Sequence, residues 1–244
     1  MNRRCGSCGA ERPATARFCP ACGAPTAEHR RVLLDHARAE RRRTTRAALA
    51  FGVACCAVLF GFVGGDGVAA GGVWATVLVS AAVVFAAALA SALLLDGLRA
   101  SLPMRTSWPW YVVAVPVGLS ALAVSLVFIV MLWGAELHFG GLPDAPSAAV
   151  VLGAVVLAPL GEEWLCRGAA WRAATVLGSP RAALVLTAIL FAFLHGLGGG
   201  YLLELPHRFV GGLLLGWLRW RSGSIVPCVI AHGAWNAGAV WLVF

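Results

Sequence analysis

From Ala47 to its end the chain is a succession of long apolar runs separated by short polar joints, and no other feature restricts the fold as strongly. Runs of this length read as membrane-spanning helices. They fall at about 47–63, 68–95, 108–133, 147–178, 181–197, 207–220 and 224–243, with a tight Gly-Gly-Asp-Gly turn expected at 64–67 between the first two. Hydrophobic residues make up 60% of the chain and charged ones 12%, which excludes an ordinary soluble domain. The expected class is an all-α polytopic membrane protein, a bundle of about seven transmembrane helices.

The formal net charge of +8 comes from 19 basic residues, every one an arginine. They cluster near the N-terminus and in alternate joints, at Arg99 and Arg105, at Arg172 and Arg181, and at Arg219 and Arg221. The intervening joints, 134–146 and 196–207, are acidic or neutral, with Arg208 as a small exception. Arginine-bearing loops stay on the cytosolic side, so the pattern puts the N-terminus inside and Phe244 outside a cell membrane. The polar, basic first residues lack the h-region of a secretory signal, in keeping with that orientation. The charge is thus explained by membrane orientation, and no nucleic-acid partner is expected. The Ala, Val and Gly bias and the absence of lysine fit a GC-rich, bacterial source.

Residues 1–26 differ in kind. Cys5, Cys8, Cys19 and Cys22 form two C-x-x-C-G knuckles, with Gly6, Gly9 and Gly23 allowing tight turns behind the sulfurs. Four thiolates at this spacing suit a closed tetrahedral Zn²⁺ site, so a small zinc ribbon with a structural metal is expected. A cytosolic location disfavours disulfides. Residues 27–46 form a basic juxtamembrane segment suited to anionic lipid, in which His29 and His36 read as solvated. Residues 47–244 are the transmembrane bundle.

Ionisable side chains at membrane depth cost a few kcal/mol each on insertion scales, so they face a bundle interior or a cavity. The last hundred residues hold a set of them: Glu162, Glu163, Arg167, His195, His232 and Asn236. With a rise of 1.5 Å per residue, Glu162, His195, His232 and Asn236 all lie about 12–25 Å from the inner joints, in one layer. Glu163 and Arg167 are four apart and predict an ion pair on one helix face. Glu162 points about 100° away, toward some other partner. His232 shares a face with Asn236, and Phe191 with His195. Pro159 removes a backbone donor just before the glutamates and invites a kink. Gly211, Gly212 and Gly216 permit close helix approach. Cys55, Cys56, Cys166 and Cys228 read as small hydrophobes, and His138, Glu204 and His207 as surface residues.

The ordered motifs E-E-x-x-x-R (Glu162, Glu163, Arg167), F-x-x-x-H (Phe191, His195) and H-x-x-x-N (His232, Asn236) resemble those of the CPBP family of intramembrane proteases. That family includes the CAAX prenyl endopeptidases and bacteriocin-processing or immunity relatives. The resemblance covers about residues 147–244, the protease-like core of the bundle; Cys166 stands where the family has a bulky apolar residue. It implies an intramembrane endopeptidase acting on a peptide or membrane-associated protein. In that reading Glu162 and His195 activate water, His232 and Asn236 stabilise the oxyanion, and Glu163 and Arg167 support the site. A metal version would bind a catalytic Zn²⁺ through Glu162, His195 and His232, although no H-E-x-x-H motif is present. The alternative from another class is a non-catalytic membrane scaffold or immunity protein, its buried polar cluster serving only to fix helix packing.

Overall fold

The computed structural model describes residues 2–69, 72–95, 97–133, 148–196 and 204–243. Contacts divide the chain into two compact units, Met1–Thr45 and Arg46–Phe244. The expected surface residue His138 lies outside the described residues.

The first unit is built on a two-stranded antiparallel sheet, β1 (Asn2–Arg4) and β2 (Glu11–Pro13), with Arg3 opposite Arg12. Each knuckle closes in the same way. Cys5 N–H bonds to Ala10 O and Gly9 N–H returns to Cys5 O; Cys19 N–H bonds to Ala24 O and Gly23 N–H to Cys19 O. Gly9 and Gly23 have φ of 76° and 70°, where a side chain would be strained. Gly6 needs no such conformation, so two of the three expected glycines carry the turns. Helix α1 (Ala27–Ala69) begins with His29 N–H bonded to Thr26 Oγ1. His29 is not simply solvated, since it stacks edge-on against Phe18 at 4.7 Å.

In the second unit α1 continues to Ala69, so the turn expected at 64–67 is helix. Gly and Asp are weak helix formers, not prohibitive ones, and flanking apolar sequence carries the helix past them. The remaining elements are α2 (Gly72–Leu94), the short α3 (Leu98–Ser101) and α4 (Pro109–Trp133). A long helical run, Ala148–Leu177, follows; then come α8 (Pro180–Gly196), α9 (Leu205–Ser222) and α10 (Val226–Val243). One helix among the described residues is long and apolar enough to cross a membrane, Pro109–Leu132, with mean hydropathy 2.5. The apolar stretches Val79–Leu94 and Pro180–His195 are shorter.

The core is made largely of small residues, with Ala54, Ala88, Ala114, Ala121, Ala170 and Ala231 all buried, so helices approach closely. Helix α8 packs on α9 and α4 on α10. On α9, Gly212 lies against Ala188 with space for a Cβ of only 3.0 Å to its Cα, Gly216 faces Leu184, and Gly211 faces the Trp235 ring. The closest approach is at Gly118, where any Cβ would overlap the Ala231 carbonyl. Gly118→Ala is therefore expected to destabilise the fold by about 1–3 kcal/mol or more, because the obstacle is backbone that cannot rotate away. Thermal denaturation in detergent checks this, with Gly52→Ala, whose added Cβ meets nothing within 4 Å, as control.

Candidate active site and metal centre

The segment carrying Glu162, Glu163 and Arg167 is one helical run wound in two ways. It comprises α5 (Ala148–Val151), the π-helical segment π1 (Leu152–Leu157), α6 (Ala158–Glu163), a second π segment π2 (Trp164–Ala170) and α7 (Trp171–Leu177). Such wide turns interrupt the i→i−4 ladder and recur at functional sites. Pro159 accounts for part of π1. The Ala158 N–H bonds to Gly153 O, and the next residue, Pro159, has no N–H to give. The Ala154 carbonyl is deprived of both helical donors, and the Asn236 side-chain amide fills the gap, Nδ2 to O at 2.8 Å.

Glu163 and Arg167 form the expected ion pair, Nη1 to Oε1 at 3.0 Å, with both side chains wholly buried. The same Oε1 accepts from His232 Nδ1 at 3.0 Å, and the other Arg167 amino group donates to Gly212 O at 2.8 Å. The guanidinium also lies 4.6 Å from the centre of the Phe191 ring. A charge this deep requires several partners at once, and it has them. Because a carboxylate can only accept, His232 carries a proton on Nδ1 and turns Nε2 toward Glu162.

Glu162 faces the other way, as its helical phase demands. Its Oε2 lies 3.4 Å from His195 Nε2 and 4.0 Å from His232 Nε2, and Glu162 and His195 keep 14% and 18% of their side chains exposed while His232 has none. His195 Nδ1 is 3.0 Å from Phe191 O, an acceptor, so its proton sits on Nδ1 and Nε2 presents a lone pair. The Phe191 ring packs against both imidazoles, 4.5 Å from His195 and 5.2 Å from His232. Glu162 Oε2 and His232 Nε2 have no hydrogen-bond partner. Ligand atoms of Glu162, His195 and His232 lie within 4.8 Å of one another, a set able to hold a metal ion.

Of the six residues picked from sequence, five meet in this cluster. Asn236 is adjacent but turned to Ala154 O. Several participants had no sequence signal. Gly212 offers only its carbonyl, and Trp235 stacks 6.0 Å from His232 and 5.4 Å from the Arg208 guanidinium. His207 is buried against Phe128, 5.7 Å between ring centres, and is not the surface residue expected. Arg208 pairs with Glu204 at 3.4 Å. Cys166 and Cys228 are buried, the latter donating to Leu215 O, as suits small hydrophobes.

In the first unit Cys5, Cys8, Cys19 and Cys22 converge, again with ligand atoms within 4.8 Å. The sulfurs of Cys5 and Cys22 are 3.8 Å apart and those of Cys8 and Cys19 3.7 Å. A tetrahedron with Zn–S bonds of about 2.3 Å has edges of about 3.8 Å, the separation found in both of these pairs. The backbone N–H groups of Ser7 and then Cys8 lower the Cys5 thiol to about 6, and those of Cys22 and Ala21 lower Cys19. Lowered thiols favour the thiolates that a metal needs; Cys8 is shifted the other way, to about 12, where the Ala10 N–H is outweighed by the neighbouring thiols and burial.

A carboxylate and an imidazole acceptor, backed by a second imidazole whose far nitrogen is held by a buried acid, place groups able to accept and donate protons at one point. Residues 144–238 match the family model described as type II CAAX prenyl endopeptidase Rce1-like, and residues 4–26 match that of the zinc-ribbon domain. Residues 144–238 are thus similar to the Rce1-like CAAX endopeptidases, and residues 4–26 to zinc ribbons. No curated protein and no solved structure matches it.

Proposed function

We propose that the chain is an intramembrane endopeptidase that hydrolyses a peptide bond in a peptide or membrane-associated protein, with Glu162 and His195 activating the water. The observation that carries this reading is the pair of inward-facing acceptors, Glu162 Oε2 and His195 Nε2, 3.4 Å apart with no donor between them. A water donating one hydrogen to each is held and made more nucleophilic. Glu162 takes its proton as the oxygen attacks the carbonyl carbon, and later passes that proton to the leaving amine. His232, protonated on both nitrogens against Glu163, donates from Nε2 to the tetrahedral oxyanion. The Asn236 amide keeps one N–H beyond the bond to Ala154 and serves the same oxyanion. Asn236→Ala is expected to lower kcat by about 10²- to 10³-fold. Cleavage of a quenched-fluorescent peptide pool by purified protein tests this, and an unchanged rate would remove Asn236 from the reaction.

A metal reading is favoured by one specific feature. The Nδ1 hydrogen bonds of His195 and His232 to Phe191 O and Glu163 are the kind of outer contact that orients zinc-binding imidazoles. In that version His232 would be neutral, and Glu162, His195 and His232 would hold a Zn²⁺, which would supply the acidity that activates water. Chelator treatment of a chain lacking residues 1–26 separates the two. Retained cleavage favours the glutamate mechanism, and a loss reversed by Zn²⁺ favours the metal.

The placement proposed is a multi-pass protein of the cell membrane, with about seven spans and its ribbon cytosolic. The arginine-bearing joints at Arg99, Arg181 and Arg221 would share the ribbon's side, and Phe244 would lie opposite. Single-cysteine labelling from each face, in a background without native cysteines beyond the ribbon, is expected to give this pattern. Residue 100 and the N-terminus on opposite sides would contradict it. The bilayer and a peptide or membrane-protein substrate are the expected partners.

A further inference from the structure

Arg219 lies on α9 and belongs to none of the three motifs, yet it bonds directly to the backbone of the glutamate helix. Its Nε donates to Arg167 O at 2.9 Å, and its guanidinium lies 5.7 Å from the Trp171 ring centre. The reason is the winding of π2. In an α-helix the Arg167 carbonyl accepts from Trp171 N–H, but here that N–H is directed to the carbonyls of Cys166 and Gly168. Arg219 Nε–H reaches that carbonyl in its place, as Asn236 reaches Ala154 O in π1. The two π segments flank Glu162 and Glu163 on either side, and each is held by one side chain from a later helix. From Arg167 the connection runs inward: its guanidinium to Glu163 Oε1, and that oxygen to His232 Nδ1.

We infer that Arg219 is a positioning residue for the reaction, fixing the roll of π2 through the Arg167 carbonyl and thereby the Glu163–His232 pair. The inference rests on the endopeptidase reading above. An arginine beside a cytosolic joint has a plainer explanation as a topology charge, and the two make opposite predictions. Arg219→Gln keeps an N–H donor at the atom where Nε stands and loses the charge. Arg219→Lys keeps the charge and places a methylene there.

If Arg219 acts through its Nε–H, the Gln variant keeps kcat within about threefold, while the Lys variant loses about tenfold or more with KM unchanged, as a small misplacement of reacting groups does. Both variants are compared on the same quenched-fluorescent peptide pool, after equal membrane insertion has been verified. Amide exchange over residues 164–171 is followed in parallel and is expected to be faster in the Lys variant than in Gln, whether or not any peptide is cleaved. Lys equal to or better than Gln in both measurements overturns the inference. If exchange follows the expected order but Glu162→Gln cleaves as well as the wild-type chain, the positioning stands and the endopeptidase reading is what fails.

Discussion

Glu162→Gln is expected to abolish cleavage, by about 10³-fold or more in kcat, while the protein inserts and melts as the wild type does. The amide is nearly isosteric but cannot take a proton from water, and it offers an N–H to His195 Nε2, now 3.4 Å from Glu162 Oε2. That bond would occupy the acceptor the water needs. Glu163→Gln is the instructive contrast. Its Oε1 holds both Arg167 and His232 in a site with no solvent exposure, so neutralising it leaves a buried guanidinium without its counter-charge. The expected cost is about 3–5 kcal/mol of stability, read as lost expression and a lowered Tm. Two adjacent glutamates thus give opposite phenotypes, one chemical and one structural. A well-folded Glu162→Gln protein that still cleaved would end both hydrolytic readings and leave the scaffold.

The second large effect lies in the ribbon. Residues 1–45 are expected to bind one Zn²⁺ through four thiolates and to lose their sheet and knuckles when it is removed, since so small a unit buries few apolar groups. Cys19 is 2% exposed and opens the second knuckle. Cys19→Ser should therefore abolish tight binding, as followed by competition with a chromogenic chelator and by circular dichroism. Affinity should also fall with pH. A thiol whose value is lowered on folding is an anion above that value and is protonated as pH drops through it. Cys5, lowered to about 6, loses its charge only below neutrality, whereas Cys8, raised to about 12, competes with protons across the neutral range, so affinity increases as pH rises. Binding unchanged in Cys19→Ser would refute the four-cysteine site. Because four thiolates leave no coordination position open, deleting the ribbon should spare cleavage of a short peptide by a protein that stays folded.

The two C-x-x-C-G knuckles, the helical character of the described apolar runs and the identity of the polar set could be read from sequence because each rests on local spacing. Two sulfurs per knuckle, a period of 3.6 and a four-residue ion pair need no knowledge of what lies across the fold. Even the divergence of Glu162 from Glu163 followed from one step of helical phase, about 100°. The turn expected at 64–67 was not such a case, because turn-forming residues state a preference that neighbouring helix can override. Which group receives each side chain was decided only by tertiary structure. His232 meets Glu163 across 69 positions, Asn236 meets Ala154 across 82, and Arg219 meets Arg167 across 52. In both π segments a side chain from a distant helix bonds to a carbonyl of the turn, and Gly118 has its purpose only where the Ala231 carbonyl arrives. A sequence states which groups seek partners; in a buried interior, where an unsatisfied polar group is costly, the packing of helices determines which partners they find.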